Sequence, residues 1–204
     1  MKKWCGLLLV IVCTSCVTPS HQSVSYRGIV AGVIAPQTLQ WMDETYEAKY
    51  SACDDTQAIV EYYRSDEGPK SWKQMLALRL NVAGPSSQQQ VAKMHQMILA
   101  QGSLAVASYT RTNAEGYGID FILTAHHYQE FSVFRYIDRT NAGGTISFQY
   151  ARIILHKGLL EQPKPVEYLK SLRGKAIELM WAVPVPVITM VPVEANVQTN
   201  RVVR

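Results

Sequence analysis

The sequence lacks a hydrophobic run long enough to cross a membrane as a helix. The apolar run from Trp4 to Val12 is about half of the roughly 20 residues that such a helix needs. The sequence also contains no HExxH, GxSxG or P-loop motif, and the glycines of residues 143–145 are typical of a hairpin turn rather than of a phosphate loop. Its 20 lysines and arginines form no cluster of the kind that binds nucleic acid. These absences argue against a transmembrane helix, the common motif-bearing enzymes and nucleic-acid binding.

Residues 1–15 have the layout of a secretory signal peptide. Lys2 and Lys3 precede a short apolar segment, and the small residues Thr14 and Ser15 stand directly before Cys16. One interpretation is an ordinary secretory signal that is cut near Ser15. The other gives Cys16 a role of its own.

The ending Thr14-Ser15-Cys16 resembles the lipobox of bacterial lipoproteins. In that family the cysteine thiol receives a diacylglycerol, the signal is cut before the cysteine, and the new amino terminus is acylated. The resemblance implies that Cys16 is the lipidation site and that palmitate-type chains anchor the protein, since two or three chains hold a protein stably. Cys13 departs from the leucine usual in the motif. Val17 stands where an aspartate marks inner-membrane retention, which favours the outer membrane, facing the periplasm of the bacterial envelope.

Removal of the signal and lipidation of Cys16 would leave Cys53 as the single free thiol of the four cysteines. The sequence therefore predicts no intramolecular disulfide, even in an oxidising compartment. Cys53 has three interpretations: a reactive thiol, a link between two chains, or a half-buried small residue at the end of a strand. We favour the last.

The hydrophobic pattern predicts an α+β domain over residues 41–182. "YEAKYSA" and "QAIVEYYRS" flank "CDDT" as a hairpin, and the alternation in "SWKQMLALRL" predicts a strand with Trp72 and Leu76 on one side. Ser87 and Gln90 form the pattern of a capping box, which predicts a helix with a buried stripe at Val91, Met94, Met97 and Ile98. Four antiparallel strands and a second helix, beginning near Pro165, follow.

The last of these strands has the clearest alternation. Its apolar residues are Ile146, Phe148 and Tyr150, and its polar residues are Thr145, Ser147 and Gln149. This pattern is typical of an antiparallel sheet with one buried face and one solvent-exposed face. Each of the two helices has one apolar stripe and is therefore expected to cover the sheet.

Two segments flank the predicted domain. Residues 16–40 show no clear periodicity and are expected to be a lipidated N-terminus and tether, in which "YRGIVAGVIAP" could add a peripheral strand. Residues 183–204 form an arm with prolines at positions 184, 186 and 192, which cannot enter the centre of a sheet. Because this arm is apolar, it should either lie against its own domain as an edge or, as we favour, dock onto a partner.

The segment from Tyr46 to Leu80 resembles the opening of small envelope proteins with the PsbP/DcrB-like fold. Trp72, Lys73, Met75 and Leu76 occupy the places of the tryptophan-containing strand in that fold. The resemblance extends over roughly residues 45–182 and implies an antiparallel sheet covered by two main helices. Members of this fold are mostly non-enzymatic, and no ligand-binding residue can be transferred from them.

Few side chains suggest chemistry. His126 and His127 are neighbours and would point to opposite faces of a regular strand, so a metal site with Glu130 requires a loop. His95 is expected at the boundary of the helix stripe. A set of four tyrosines could form a binding face or, as we favour, cross-strand core pairs; they are Tyr46, Tyr50, Tyr62 and Tyr63.

The sequence thus predicts a non-catalytic, membrane-anchored envelope lipoprotein that needs no cofactor and no metal. Its expected partners are the membrane, through the lipid anchor, and an envelope protein, as in an accessory of an envelope or secretion assembly. The alternative is a periplasmic small-ligand-binding protein or an enzyme with a site in the concavity of the sheet. A pocket lined by convergent polar groups would favour the alternative.

Overall fold

A computed structural model describes residues 23–101, 105–110, 116–124, 128–139, 143–155 and 165–191. The elements, in chain order, are β1 Ser23–Ser25, β2 Val33–Ile34, β3 Thr38–Trp41, β4 Glu44–Cys53, β5 Gln57–Tyr63, β6 Gln74–Asn81, α1 Ser87–Ala100, β7 Ala105–Thr110, β8 Tyr117–Thr124, β9 Tyr128–Asp138, β10 Thr145–Leu155, α2 Pro165–Ala182 and β11 Thr189–Met190. Neither helix in these ranges is long and apolar enough to span a bilayer.

Nine strands form one antiparallel sheet, curved into a half-barrel. Its order is β1-β4-β5-β6-β10-β9-β8-β7, and β3 pairs with the first half of β4 on the edge that β1 shares. β2 and β11 form a separate two-stranded sheet. The predicted α+β class, with an antiparallel sheet and two main helices, is confirmed.

One face of the sheet, here called the α2 face, carries the larger core. Leu76 and Leu78 of β6, Phe148 of β10 and Val133 of β9 are buried there under Ala176 and other residues of α2. The side chain of Trp41 packs edge-on against Phe148, with ring centroids 5.5 Å apart. This continuous apolar surface agrees with the alternation predicted for β6 and β10.

The opposite face, here called the α1 face, is buried as well. Val91, Met94 and Ile98 of α1 pack on Ile119 and Phe121 of β8, as the helix stripe predicted. The expectation that the polar residues of β10 are solvent-exposed is wrong. Gln149 is 6% exposed, and Thr145 and Ser147 are buried too. Alternation shows which residues share a face, but it does not show whether that face is covered.

Two local predictions need correction. The capping box exists, but Ser86 is the N-cap and Gln89 its partner, one residue earlier than predicted. Ser87 instead donates from its hydroxyl and its backbone N–H to the carboxylate of Asp138, at 2.8 and 2.7 Å. Trp72 precedes β6 and packs partly buried beside Tyr63 on the α1 face, so it does not share the side of Leu76.

The segment predicted as a tether contributes to the fold from Ser23 onwards. β1 and β3 both pair with β4, and Val30 and Val33 are buried in the core of the α2 face. These apolar side chains are removed from water only because the segment turns back over the sheet. The structural domain therefore reaches beyond the predicted boundary at Trp41.

The first part of the C-terminal arm lies against its own domain. β11 pairs with β2, and Ile188 is 1% exposed within the core cluster. Val191 donates its backbone N–H to the carbonyl of Gly32 at 2.8 Å. Of the two possibilities for the arm, residues 183–191 follow the first, an edge of the domain; residues 192–204 lie outside the described ranges.

The strand directions define two ends of the sheet. Ser23 pairs with Cys53, so the Ser23 end carries the turn at residues 54–56 and the glycines 143 and 144. The Met42 end carries the β3–β4 turn and the loop of residues 64–73. The chain enters the sheet at the first end, and the candidate site described below lies at the second.

Candidate functional site

Several predicted site residues fall outside the described ranges. Cys16, His126 and His127 are among them, so the lipidation site and the conceivable histidine metal site lie outside the part of the chain that the structure describes. Among the residues that are described, no group of three histidine, cysteine or acidic side chains is arranged to hold a metal ion. His95 lies half-buried in the middle of α1, next to Met94 of the buried stripe, as expected.

Cys53 ends β4 and is half-buried against the core of the α2 face. Burial, with a smaller contribution from the neighbouring Asp54 carboxylate, raises the pKa of its thiol. A raised pKa lowers the fraction of reactive thiolate at neutral pH. The prediction of a half-buried residue at a strand end is confirmed.

The four tyrosines of the first hairpin do not form one surface. Tyr46 and Tyr62 are buried on the α2 face, whereas Tyr63 and the partly buried Tyr50 lie on the α1 face. Burial raises the pKa of each of these phenols. Tyr46, Tyr62 and Tyr63 are therefore core residues, as we favoured. The predicted pairing is not observed, because the strand register places no two of these tyrosines directly opposite each other.

A strip of polar side chains crosses the α1 face between its two apolar clusters. Arg79 donates to the amide oxygen of Gln149 at 2.6 Å, and the Gln149 amide donates to Ser132 Oγ at 3.4 Å. Ser132 in turn donates to Glu130 at 3.0 Å. Each member is paired, as a buried polar network requires if it is not to destabilise the fold.

Two buried or partly buried carboxylates lie on the α1 face: Glu130, which belongs to the polar strip, and Glu61 of β5. Burial raises the pKa of Glu130, although the Ser132 hydroxyl and the charge of Arg79 act in the opposite direction. Glu61, 8% exposed, accepts a short hydrogen bond from Tyr63. Perturbed carboxyl groups mark functional sites when they face a cleft. No residue of the polar strip lines either of the two clefts at the surface of the domain. The contacts of the strip therefore indicate a structural role.

The loop of residues 64–73 is fixed by two charged side chains. Lys49 Nζ donates to the carbonyls of Arg64, Ser65 and Glu67 at 2.6 to 2.9 Å. The Glu67 carboxylate, on a residue that is 8% exposed, accepts the backbone N–H groups of Lys73 and Gln74. The loop is therefore held in one conformation.

This loop borders an open cleft of about 500 Å³. Tyr26, 65% exposed, lines it together with Gly68, Pro69, Lys70 and Ser71. The ring of Tyr26 lies 5.4 Å from that of Tyr50. The volume falls within the range of small-ligand sites, but the cleft is shallow and contains no carboxylate or histidine.

The turn between β3 and β4 is strained. Met42 and Asp43 have φ angles of +49° and +65°, in the left-handed region that favours glycine and asparagine. Two central residues with positive φ are typical of a type I′ hairpin turn, where Asn-Gly is the usual sequence. A residue such as Met42 costs about 1–2 kcal/mol in this region, whereas aspartate costs less because its short side chain can hydrogen-bond locally. Strain of this kind clusters at functional sites.

A second cleft, of about 250 Å³, opens beside this turn. Leu179 and Val183 from the end of α2 line one side, and the other side is formed by residues 40–43. For comparison, a dry cavity of about 150 Å³ in another protein holds benzene. We call this the Trp41 cleft.

Charged side chains hold α2 in place over the sheet and so fix the α2 side of the Trp41 cleft. Arg173 forms a bidentate ion pair with Asp120, at 2.6 and 2.9 Å. Arg135 donates to the carbonyls of Met180 and Val183, which closes the C-terminal end of the helix. The α2 side of the cleft is therefore preorganised.

The polar groups around the Trp41 cleft are incompletely satisfied. Trp41 is 3% exposed, yet its indole N–H finds no acceptor in the described part of the chain. Such a group costs about 1–3 kcal/mol. The exposed Asp43 carboxylate makes no ion pair within the same ranges, whereas Glu44 and Glu47 pair with Arg64 and Lys49. The cleft thus combines an apolar wall, an uncompensated negative charge and backbone strain.

Sequence reasoning missed this cleft. The sequence "WMDET" contains no glycine, asparagine or proline, and Asp43 alone is a weak indication of a two-residue turn. A weak signal was available, because alternation resumes on both sides of Met42 and Asp43. The α2 side of the cleft is formed by Leu179 and Val183, which are more than 130 positions away in the sequence. The sequence pattern predicts them only as parts of the second helix and of the C-terminal arm.

The fold and these sites define an α+β domain built on an open-edged antiparallel sheet, with an apolar cleft at one corner. Residues 33–185 match the model of an uncharacterised protein family, and the protein belongs to that family. The matched range runs from β2 to the segment after α2, so it contains the Trp41 cleft in full. No curated protein and no solved structure matches the chain.

Proposed function

We propose that the protein is a non-catalytic lipoprotein of the bacterial envelope, anchored through lipid on Cys16 and binding a protein partner at its Met42 end. The outer membrane, facing the periplasm, is the proposed location, and the proposed role is that of an accessory in an envelope or secretion assembly. The observation that carries the proposal is an arrangement within the sheet. The chain enters the sheet at one end, and the open Trp41 cleft lies at the opposite end.

The lengths of two segments show how far the lipid anchor, the Ser23 end and the Met42 end can lie from one another. Six residues lie between Cys16 and Ser23, and the seven steps from one Cα atom to the other reach at most about 25 Å. The ten residues of β4 span the distance between the Ser23 end and the Met42 end, which corresponds to about 30 Å. An anchored domain would hold its Ser23 end close to the bilayer and its Trp41 cleft well away from it. That placement suits a site for a partner in the aqueous compartment.

The finer fold assignment is also a proposal. A PsbP/DcrB-like architecture is supported by the hairpin, the strand β6 and the helix α1 that follow in the expected order. The displacement of Trp72 from β6 to the turn before it departs from the proposed pattern. A structural superposition on members of that fold, with the same strand order required over the whole sheet, tests the assignment.

A second candidate function, small-ligand binding, is favoured by the cleft at Tyr26. Its volume and exposed aromatic ring suit a small amphipathic ligand, and the rigid 64–73 loop would cost little entropy on binding. Thermal-shift screening of wild type against Tyr26→Ala tests it. A ligand that stabilises wild type but not the variant would support this function, and a screen without such a ligand would reject it.

The anchoring part of the proposal is tested by the mass of the mature protein. We expect the wild-type chain to begin at Cys16 and to carry acyl chains, and Cys16→Ser to lose them and leave the membrane fraction. Cys5→Ser is the matched control, since it removes another thiol of the signal segment that lies outside the lipobox and should not change anchoring. A mature N-terminus elsewhere, without lipid, would refute the anchor.

A further inference from the structure

We propose that the outer edge of β3 binds an extended segment of the partner protein as an additional strand, with one apolar side chain in the Trp41 cleft and a basic side chain beside Asp43. This inference rests on the proposed function, because it names the chemistry of the partner. It concerns a part of the domain that the lipid anchor does not touch.

The register of β3 shows which backbone groups are available. Trp41 pairs with Glu44 across the turn, and Ala48 donates its N–H to the carbonyl of Gln37 at 2.9 Å. In an antiparallel pair, hydrogen-bonded and non-hydrogen-bonded positions alternate. Gln37, Leu39 and Trp41 therefore bond to β4, and the N–H and C=O groups of Thr38 and Gln40 point outward.

These outward groups are available to another chain. Thr38 and Gln40 are exposed, and no backbone hydrogen bond of either residue exists within the described ranges. A row of unpaired donors and acceptors on a strand edge is a template for strand addition. β3 contains no charged residue and no proline, the features with which natural edge strands prevent such pairing.

The Trp41 cleft restricts which side chains an added strand can carry. Residues alternate between the faces of a strand, so every second residue of an added strand would project towards the α2 face. The Trp41 cleft opens on that face, between β3 and the residues Leu179 and Val183. It has room for one apolar side chain. Backbone pairing and one filled pocket together match the usual mode of peptide recognition by strand addition.

The charge beside the cleft favours a basic neighbour. Asp43 is exposed and is the carboxylate of this hairpin that lacks an ion pair among the described residues. A lysine or arginine near the end of the added strand would complement it. Such an exposed pair is expected to affect association rate and salt dependence more than affinity.

A second copy of the same chain fits less well. If two β3 edges paired, the residues of the copy on the α2 face would be Leu39 and Trp41. Trp41 is buried in its own core and Leu39 packs against that core, so neither side chain is free to fill the cleft of a neighbour. A separate extended peptide carries no such restriction.

The test uses the full chain with Cys16→Ser, which removes the lipid, and a phage-displayed library of short random peptides as the probe. Peptides that enrich are synthesised and measured against two proline variants, Thr38→Pro and Gln40→Pro. Each removes one outward N–H and leaves the β3–β4 ladder intact, because proline is tolerated on a strand edge. Thr38→Ala and Gln40→Ala are the matched controls, since they change the side chain and keep the N–H.

We expect the peptides to contain an apolar residue and a basic residue, and to bind each proline variant about tenfold more weakly than its alanine control, the equivalent of one lost hydrogen bond of about 1.4 kcal/mol. In the unsubstituted edge, the amides of Thr38 and Gln40 should exchange more slowly with solvent when peptide is bound. This second measurement does not depend on the folding of any variant.

Three outcomes would overturn the inference. The first is a library from which no peptide enriches, and the second is binding that the proline variants do not weaken. The third is an edge that is already occupied. Slow exchange of both amides without peptide, lost on dilution, would assign the edge to a second copy; slow exchange lost on truncation after Val191 would assign it to the chain's own terminus. In each case the test of the lipid on Cys16 is unaffected, so the two proposals can fail separately.

Discussion

The turns at the two ends of the sheet differ in how well their residues suit the backbone conformation and in how fully their polar groups are hydrogen-bonded. At the Ser23 end, Asp54 accepts four hydrogen bonds from Thr56 and Gln57, at 2.8 to 3.0 Å, and Gly143 and Gly144 supply the positive φ angles. At the Met42 end, the positive φ angles fall on Met42 and Asp43. The indole N–H of Trp41 is left without an acceptor in the described ranges.

This difference separates a part of the molecule that is optimised for folding from a part that is not. Natural proteins follow local rules of turn chemistry and polar satisfaction except where function requires otherwise. The loop of residues 64–73 shows that the Met42 end is not loosely built, because Lys49 bonds to three of its carbonyls and Glu67 accepts the N–H groups of Lys73 and Gln74. Between the two ends, positive φ angles on non-glycine residues and the unpaired indole N–H of Trp41 coincide at the corner of the Trp41 cleft, which is why we propose the partner site at that corner.

The largest effect is expected from Gly144→Ala at the Ser23 end. Gly144 has φ of +78°, and an added Cβ would lie 1.9 Å from the carbonyl oxygen of Asn81. We expect the free energy of unfolding in urea to fall by about 2–4 kcal/mol. Gly174→Ala is the control: nothing lies within 4 Å of its added Cβ, and in the middle of α2 it should gain up to about 1 kcal/mol. Equal effects at both glycines would remove the argument that the Ser23 end is tightly specified.

A smaller loss is expected from Asp54→Ala, which removes all four hydrogen bonds from the 54–56 turn. Because the turn is exposed to water, we expect a loss of about 1–2 kcal/mol in the free energy of unfolding. Asp55→Ala, in the same turn and exposed, should change it by less than about 0.5 kcal/mol. The interpretation of this turn fails if the two variants are equally stable.

The sharpest comparison joins two residues with nearly the same φ angle, Asp43 at +65° and Gly143 at +66°. We expect Asp43→Gly to raise the free energy of unfolding by about 0.5–1 kcal/mol, since strain is released. Gly143→Ala should lower it by about 1–2 kcal/mol. Thermal or urea unfolding measures both. Destabilisation by Asp43→Gly would show that the β3–β4 turn is not strained.

The smallest effect concerns pH. Burial would raise the pKa of Asp54, but the hydrogen bonds from Thr56 and Gln57 outweigh it and lower the pKa. A lowered pKa in the folded state stabilises the protein above the unfolded value near 3.8, and this contribution is lost as pH falls through the folded value. The stability advantage of wild type over Asp54→Ala should therefore be full at pH 6 and shrink below about pH 4. An advantage that is constant over this range would contradict the assignment.

Alternation and capping patterns predicted most of the elements, because each of those signals is local. β4 and β5 with the turn at Asp54, the buried stripe of α1 and the alternation of β10 follow from neighbouring residues alone. The predicted capping box was misplaced by only one residue, because Ser86 and Ser87 both carry a hydroxyl that could cap the helix. Which serine caps the helix is decided by Asp138, far along the chain.

The features that the sequence did not predict depend on contacts between residues that are distant in the sequence. Asp120 alternates as a solvent-exposed residue would, and it is buried because Arg173 of α2 pairs with it. Gln149 was expected in water, yet it is buried because it bonds to Arg79 of β6 and Ser132 of β9. The Trp41 cleft is of the same kind, since its two sides come from β3 and α2.

The central claim is that the Ser23 end faces the membrane and the Met42 end faces away from it. Energy transfer to an acceptor lipid measures this directly in lipidated protein on vesicles, with Cys53→Ala removing the free thiol and a donor dye on Asp55→Cys or Asp43→Cys. The account predicts strong transfer from position 55, close to the anchor, and weak transfer from position 43, about 30 Å further along β4. Equal transfer from the two positions, or stronger transfer from position 43, would contradict it.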